Sequence, residues 1–394
     1  MSDELRLPFP LCTEDFKWEK RISQGAFSNI FVVKHQASGG DFPYVCKVLR
    51  KRDVAKKEQI GRALYERKLT MSTLRKNPHP YIVRHMGAFH DEHCIYFLSE
   101  FVSGGDLFSH LRRLVRFKKS TAMFYGAQAL IALEHLHSLQ IVYRDLKPEN
   151  VVLDRRGYIK LIDFGLSKIL ENEERTYTVC GSPEYMAPEV VLGTGHSYAA
   201  DWWSFGVLLY EMIVGQPPFV ARDPMDIYKL VIRADLRFPA KSLRVTDKTS
   251  KNIIKKLVKY EEAKRYGASF GKTAKIRNHD FFRSMNWEQL LNRKLGSMEG
   301  AIVPSVSRSD DTSQFPDLDE DEKKKKKKSS ISKKKMHDKK NKNDGSNVIE
   351  NETKNHVVVE EKKTFLDRIK TEPVFVYEGD DDPFEAFDDD DYDD

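Results

Sequence analysis

Residues 201–215 read Asp-Trp-Trp-Ser-Phe-Gly-Val-Leu-Leu-Tyr-Glu-Met-Ile-Val-Gly, a helix-length segment that is apolar on nearly all sides. A helix of this kind has no face to offer water and belongs inside a core. The chain must therefore build a body large enough to enclose it. Forty per cent hydrophobic residues over 394 positions can fill one large domain or two lobes, and exclude a collagenous, disulfide-scaffold or wholly disordered chain.

The neighbouring patterns show what that body is made of. Ser120 to Ser138 sets Ala129, Leu133 and Leu136 at three-to-four spacing, and residues 56–75 put Ile60, Leu64, Met71 and Leu74 on one face, so both predict helices. Residues 16–49 differ. Ile30, Val32 and Val33 form one strand-like run and Tyr44, Val45 and Val48 another, with Ser38-Gly39-Gly40-Asp41 as the turn between them. A strand-rich small part thus precedes a helix-rich large part, an α+β order.

After about residue 300 the texture changes to charge blocks. Lys323 to Lys328 is an unbroken lysine run, Lys333 to Lys335 follows, and residues 378–394 hold 11 acidic residues with no Lys or Arg. Such blocks repel internally and rarely fold. The formal net charge of +6 is therefore what remains after a basic and an acidic segment cancel, and says nothing of a nucleic-acid substrate. No run of 18 apolar residues occurs, the start Met-Ser-Asp-Glu-Leu-Arg is not a secretory signal, and Ser2 is not a myristoylation site. Cys12, Cys46, Cys94 and Cys180 are widely spaced, without a zinc-like pattern. A cytoplasmic chain with reduced thiols and no integral membrane association is expected, and the lysine clusters add a nuclear option.

The chemistry is concentrated in two short motifs. Residues 143–150 read Tyr-Arg-Asp-Leu-Lys-Pro-Glu-Asn, and residues 163–165 read Asp-Phe-Gly. Phosphoryl transfer needs a carboxylate near the attacking hydroxyl, cations on the phosphate oxygens, and oxygen ligands for magnesium. Asp145, Lys147, Asn150 and Asp163 supply that set. Upstream lie Lys47 in Val45-Cys46-Lys47 and Glu66 on the next helix, and downstream lie Ala187-Pro188-Glu189, Asp201 and Arg265.

In this order and spacing the motifs resemble those of eukaryotic protein kinases, from about Phe16 to Phe282. Tyr143 in place of the usual His, Thr178-Val-Cys-Gly-Ser-Pro-Glu-Tyr-Met-Ala-Pro-Glu, and Arg237-Phe-Pro resemble the AGC group, most closely the cyclic-AMP-dependent catalytic subunits. The resemblance implies a bilobal α+β fold: an N-terminal extension over 1–15, a small lobe over 16–100, and a large lobe over 106–282. An AGC-type tail would fill 283–394, with a Lys-rich insertion at about 321–372. It also implies ATP and Mg2+, and Ser/Thr in Arg-Arg-x-Ser/Thr-hydrophobic protein substrates.

Carried over position by position, the resemblance makes Asp145 and Lys147 catalytic and gives the metal to Asn150 and Asp163. ATP would meet Ile22, Ser23, Gly25, Ser28, Ile30, Val45 and Lys47, with Glu66 orienting the lysine. Glu100 to Val102 would form the hinge, Asp106 would take the ribose, Val152 the adenine, and Ser99 would guard the back pocket. Asp106, Glu149 and Glu211 would choose basic substrates, with Val179, Ser182, Pro183 and Met186 beside the phosphoacceptor. Thr178 would be the activating phosphosite, paired by Arg144 and Lys168 and served by an upstream kinase. Glu189 with Arg265 is read as a structural ion pair, Asp201 as a brace on the catalytic loop, and Cys180 as packing.

Two features depart from the family pattern or extend it. The phosphate-covering loop, Ser23-Gln-Gly-Ala-Phe-Ser28, keeps Gly25 alone of three glycines, which leaves an active kinase with a stiffer loop and a pseudokinase scaffold as competing readings. Phe384-Glu-Ala-Phe387 matches the tail motif that docks on the small lobe, with Asp388 as a fixed charge, and residues 311–318 resemble the segment crossing the nucleotide site, with Phe315 as its aromatic. The lysine insertion reads as a spacer, a nuclear import signal, or less readily a contact for anionic lipid or nucleic acid. An inhibitory regulatory subunit is a candidate partner, although Tyr177 stands where the cyclic-AMP-dependent subunits have Trp.

Overall fold

The computed structural model describes Leu7, residues 10–36, 42–56, 59–171, 174–239, 246–295 and 300–316, and Leu318. The turn expected at 38–41, the lysine insertion, Phe384, Phe387 and Asp388 lie outside the described residues.

The small lobe is a five-stranded antiparallel sheet with strand order β1-β2-β3-β5-β4. Its strands are β1 (Phe16–Gln24), β2 (Ser28–His35), β3 (Pro43–Arg50), β4 (His85–His90) and β5 (Cys94–Glu100). Strand alternation splits β3 between two faces. Tyr44, Cys46 and Val48 enter one apolar cluster with Phe16, Phe31 and Tyr96, and Leu7 and Leu11 of the N-terminal extension pack into the same cluster. Leu49 turns the other way, onto Ala63 and Met71 of the following helix.

The helix expected over 56–75 is divided. A short α1 (Lys51–Lys56) precedes α2 (Ile60–Arg67), which continues into a π-helical stretch over Lys68–Leu74. On α2 Ala63 is buried while Ile60 and Leu64 are partly exposed, and in the π-helical stretch Leu69, Met71 and Leu74 are buried.

The large lobe is built on α4 (Lys119–Ser138) and α6 (Ala199–Val214), with α3 (Leu107–Leu114), α5 (Pro188–Val191) and α7 (Pro224–Arg233) around them. Every residue of α6 from Ala199 to Ile213 is buried, which is what its all-round apolar sequence demands. Gly215 ends it in the left-handed region at φ 99°, where a Cβ would come within 2.3 Å of the Val115 carbonyl oxygen. Short pairs β6 (Ile141–Val142) with β9 (Lys168–Ile169), and β7 (Val151–Leu153) with β8 (Ile159–Leu161), carry the loops of the cleft.

Ordered packing runs past residue 282. Helix Trp287–Leu291 buries Leu290 in the large-lobe core, and the hydroxyls of Tyr81 and Tyr158 donate to the carbonyls of Leu290 and Leu295. Residues 300–316 then lie along the body. Tyr125 Oη accepts from the Ile302 amide at 2.8 Å, Lys34 pairs with Asp310 at 3.0 Å, and the Lys20 ammonium donates to the carbonyls of Thr312 and Phe315.

Candidate active site

The loop between β6 and β7 is held from below by the buried helix. Asp201, fully buried on α6, accepts from the amides of Tyr143 at 2.9 Å and Arg144 at 2.8 Å, and from His137 Nε2 at 2.8 Å. A buried carboxylate with three donors is satisfied and rigid. Arg144 is thereby held at φ 67°, outside the ordinary region for a residue with a side chain.

Asp145 is the hub of this loop. Its carboxylate takes Lys147 Nζ at 2.8 Å, Asn150 Nδ2 at 2.7 Å and Ser182 Oγ at 3.2 Å, and Lys147 also donates to Ser182 Oγ at 2.9 Å. Asp145 is 7% exposed, so its acceptor oxygens are aimed rather than solvated. The Asn150 amide nitrogen also donates to the Asp145 carbonyl at 2.9 Å, which turns its side-chain oxygen away from Asp145.

Across the cleft, Lys47 on β3 meets Glu66 on α2 at 2.7 and 3.0 Å and Asp163 Oδ1 at 3.1 Å. Burial alone would lower the Lys47 pKa, but the Asp163 and Glu66 carboxylates outweigh it and raise it, so the ammonium stays charged. The Lys47 ammonium in turn holds the Asp163 carboxyl below the usual carboxylate range. Asp163 sits at φ 58° with its side chain 47% exposed. An ionised Asp163 and the side-chain oxygen of Asn150 are hard oxygen donors suited to a divalent cation such as magnesium.

The wall expected to meet the nucleotide is apolar. Ile22 and Val152 are buried, while Ile30 and Val45 are partly exposed. Among the described residues neither the N–H nor the C=O of Val102 bonds to another backbone group, whereas the neighbouring Glu100 amide is taken by Arg84 O. A free donor and acceptor beside apolar side chains fit a planar, edge-bonding base. Ser99 is partly exposed on β5, opposite Val45 and His85. The tail closes this side: Phe315 packs on Phe101 with ring centroids 5.5 Å apart.

The phosphate-covering loop forms a tight hairpin, with Ser23 opposite Ile30 and Gly25 N donating to Ser28 O at 2.8 Å. A Cβ at Gly25 would stand 3.0 Å from Ser28 Oγ. The Ser28 hydroxyl thus stands beside Gly25, where a side chain would crowd it.

The acidic set is not uniform. Asp106 caps α3, accepting the Ser109 amide at 2.6 Å, and Glu149 is exposed. Glu211 is 2% exposed and is bound by Arg112 at 2.8 Å and by the Tyr185 hydroxyl. A substrate guanidinium reaching Glu211 would displace Arg112. Beside Ser182, Val179 is exposed, Pro183 is partly exposed and Met186 is buried.

In the activation segment, Thr178 is exposed, and Arg144 and Lys168 converge instead on the buried Thr176 hydroxyl at 3.4 and 3.3 Å. Burial lowers the Arg144 pKa; Cys180, Asp201 and Tyr65 oppose it, and the charge of Arg62 on α2 adds a smaller lowering. Arg62 was not legible in the motifs, because it belongs to a helix some eighty residues upstream. Burial raises the Cys180 thiol, in line with packing. Glu189 and Arg265 make two bonds, at 2.6 and 3.0 Å, and Arg265 has no exposed side-chain surface.

Known proteins resemble this chain over most of its length. The protein kinase domain family matches residues 16–282. The human cAMP-dependent protein kinase catalytic subunit PRKX is 40% identical over 302 residues, covering 77% of this chain and 80% of the relative. The Dictyostelium discoideum cAMP-dependent protein kinase catalytic subunit is 38% identical over 309 residues, covering 78% of this chain and 45% of that relative. Serine/threonine-protein kinase YPK1 of Saccharomyces cerevisiae is 39% identical over 310 residues, covering 78% and 43%. Near-equal identity to kinases with and without a cyclic-AMP name leaves the mode of regulation to the site itself. No described helix is long and apolar enough to cross a membrane. The chain belongs to the protein kinase family, as an ATP-dependent serine/threonine kinase of the AGC type similar to the cAMP-dependent catalytic subunits.

Proposed function

We propose that this kinase phosphorylates Ser/Thr in Arg-Arg-x-Ser/Thr-hydrophobic segments, and that phosphorylation of Thr178 orders its activation segment. The observation that carries the proposal is the hub at Asp145, whose carboxylate is fixed by Lys147, Asn150 and Ser182. Asp145 accepts the proton of the incoming hydroxyl as its oxygen bonds the γ-phosphorus and the bond to the β-phosphate oxygen breaks. Lys147 neutralises the transferred group, and Lys47 holds the remaining phosphates. Magnesium would be held by Asp163 and Asn150, where it supplies charge neutralisation on the phosphate oxygens.

Asp106 and Glu149 support recognition of substrate arginines by carboxylates, and Val179, Pro183 and Met186 support an apolar residue after the acceptor. A phosphate on Thr178 would attract Arg144 and Lys168, which otherwise share the Thr176 hydroxyl, and Arg62 on α2. Peptide-library phosphorylation tests the assignment, with Asp163→Ala as the control that folds but does not transfer phosphate. A library selecting acidic or proline-directed peptides overturns the specificity. Full activity of Thr178→Ala overturns the switch, and undiminished transfer by Asp163→Ala would favour neither catalysis at this site nor its metal assignment.

A further inference from the structure

Tyr65 lies immediately before Glu66 on α2 of the small lobe, yet its side chain packs against the apolar cluster that contains the large-lobe core. Its hydroxyl accepts the backbone amide of Ile169 at 2.5 Å. Ile169 belongs to β9, between Asp163-Phe-Gly and Thr176, and is paired with Ile141 in front of the catalytic loop. One neutral hydrogen bond thus ties the residue next to Glu66 to the strand that follows the metal carboxylate. The ion pair between Lys47 and Glu66 fixes the side chain of Glu66 from the sheet side, and the bond to Ile169 fixes its helix from the opposite side.

The nearby basic groups of the segment are engaged within it. Arg62 stands one turn earlier on α2, while Arg144 bonds within the activation segment, to the Leu166 carbonyl and the Thr176 hydroxyl. Without a phosphate at Thr178, the Tyr65 hydroxyl is a contact between α2 and the segment that needs no charge. A phosphate would supply its own attraction to both arginines.

We infer that Tyr65 is a positioning residue, which acts through Glu66 and holds the Lys47–Glu66 pair closed when Thr178 is not phosphorylated. The inference rests on the assignment of Glu66 as the partner that orients Lys47, and its test separates the two. The full chain is compared as Tyr65→Phe, Glu66→Gln and the double variant, each in unphosphorylated and Thr178-phosphorylated form, by kcat/KM for ATP and by melting temperature. Tyr65→Phe removes only the hydroxyl. It is expected to lower kcat/KM about five- to tenfold in the unphosphorylated enzyme, as the loss of one hydrogen bond from a two-state element does, and less than about twofold after phosphorylation.

Because Tyr65 acts through Glu66, the double variant should be no slower than Glu66→Gln alone. Equal losses in both phosphorylation states, or losses that multiply in the double variant, would mean a merely structural tyrosine and overturn the inference. If Glu66→Gln is itself silent, the assignment of Glu66 fails. If Glu66→Gln is slow and Tyr65→Phe is silent, only the role of Tyr65 fails. Hydrogen exchange at the Ile169 amide adds a readout independent of turnover: it should quicken in Tyr65→Phe, and unchanged exchange would show that the bond does not hold the strand.

Discussion

The catalytic loop of the large lobe and the Lys47–Glu66 pair of the small lobe face one cleft but are restrained differently. Asp145 is fixed by three side chains within its own lobe, and the backbone leading to it is fixed by Asp201 from the buried α6. Lys47 and Glu66 are fixed by each other and by Asp163, and α2 continues into a π-helical stretch, a wider turn than an ordinary helix adopts. The first arrangement costs little to maintain because the core underneath is packed on all sides. The second depends on how α2 sits against the activation segment. Control of such an enzyme belongs on the small-lobe side, where one helix can move without unpacking a core.

The sharpest way to break this comparison is Asp145→Asn. The loop around it is held by Asp201, so turnover should fall roughly 10²–10⁴-fold while the melting temperature stays close to that of the parent. A large drop in melting temperature would show that the hub stabilises the loop rather than receiving its order from α6.

Next in size is Glu189→Gln, which leaves the fully buried Arg265 without its counter-charge. Urea unfolding should report a loss of about 3–5 kcal/mol from the large lobe. A loss well below that would mean the carbonyls of Ala199 and Lys259, which also bind Arg265, suffice to satisfy it.

Acid should act on both lobes through buried neutral histidines. Burial pushes His85 on β4 down to about 3 and His196 beside the activation segment down to about 4, from 6.5. The unfolded chain binds protons that the native state refuses, so this stability is complete above about pH 6.5 and is lost as pH falls toward 3 or 4. At pH 5.5 each site contributes about 1.4 kcal/mol of that loss. His85 stacks edge-on against Phe164 at 5.4 Å, so His85→Leu should flatten the acid limb of the melting curve. An unchanged limb would place the acid sensitivity elsewhere.

The smallest effect concerns the tail. Phe315→Ala removes the ring from Phe101 at the hinge, and should raise KM for ATP a few-fold with kcat nearly unchanged, the size of one aromatic contact. A fall in kcat instead would tie the tail to chemistry rather than to nucleotide binding.

The contrast between the lobes also marks how much the sequence could reveal. Asp145, Lys147 and Asn150 lie within six residues, so their mutual geometry follows from the local path of the chain once it is recognised. The all-round apolar character of 201–215 likewise announced a buried helix, because burial leaves its imprint on every residue of the segment. The helix over 56–75 was legible only in outline. Its interruption and π-helical stretch arise from packing against the sheet and the large lobe, which periodicity does not encode.

By itself, then, the sequence determined the α+β order, the kinase motifs and the chemical inventory of the cleft, since each is written in neighbouring residues or in a repeated pattern. Only the tertiary structure decided which groups those residues serve. It set Arg144 and Lys168 on Thr176, gave Glu211 to Arg112, laid residues 300–316 across the hinge, and brought the Tyr65 hydroxyl to Ile169. These pairs are separated by long stretches of chain or by turns whose direction is set by packing. Their meeting is fixed by how two lobes and a tail share one interior, and no local pattern carries that information.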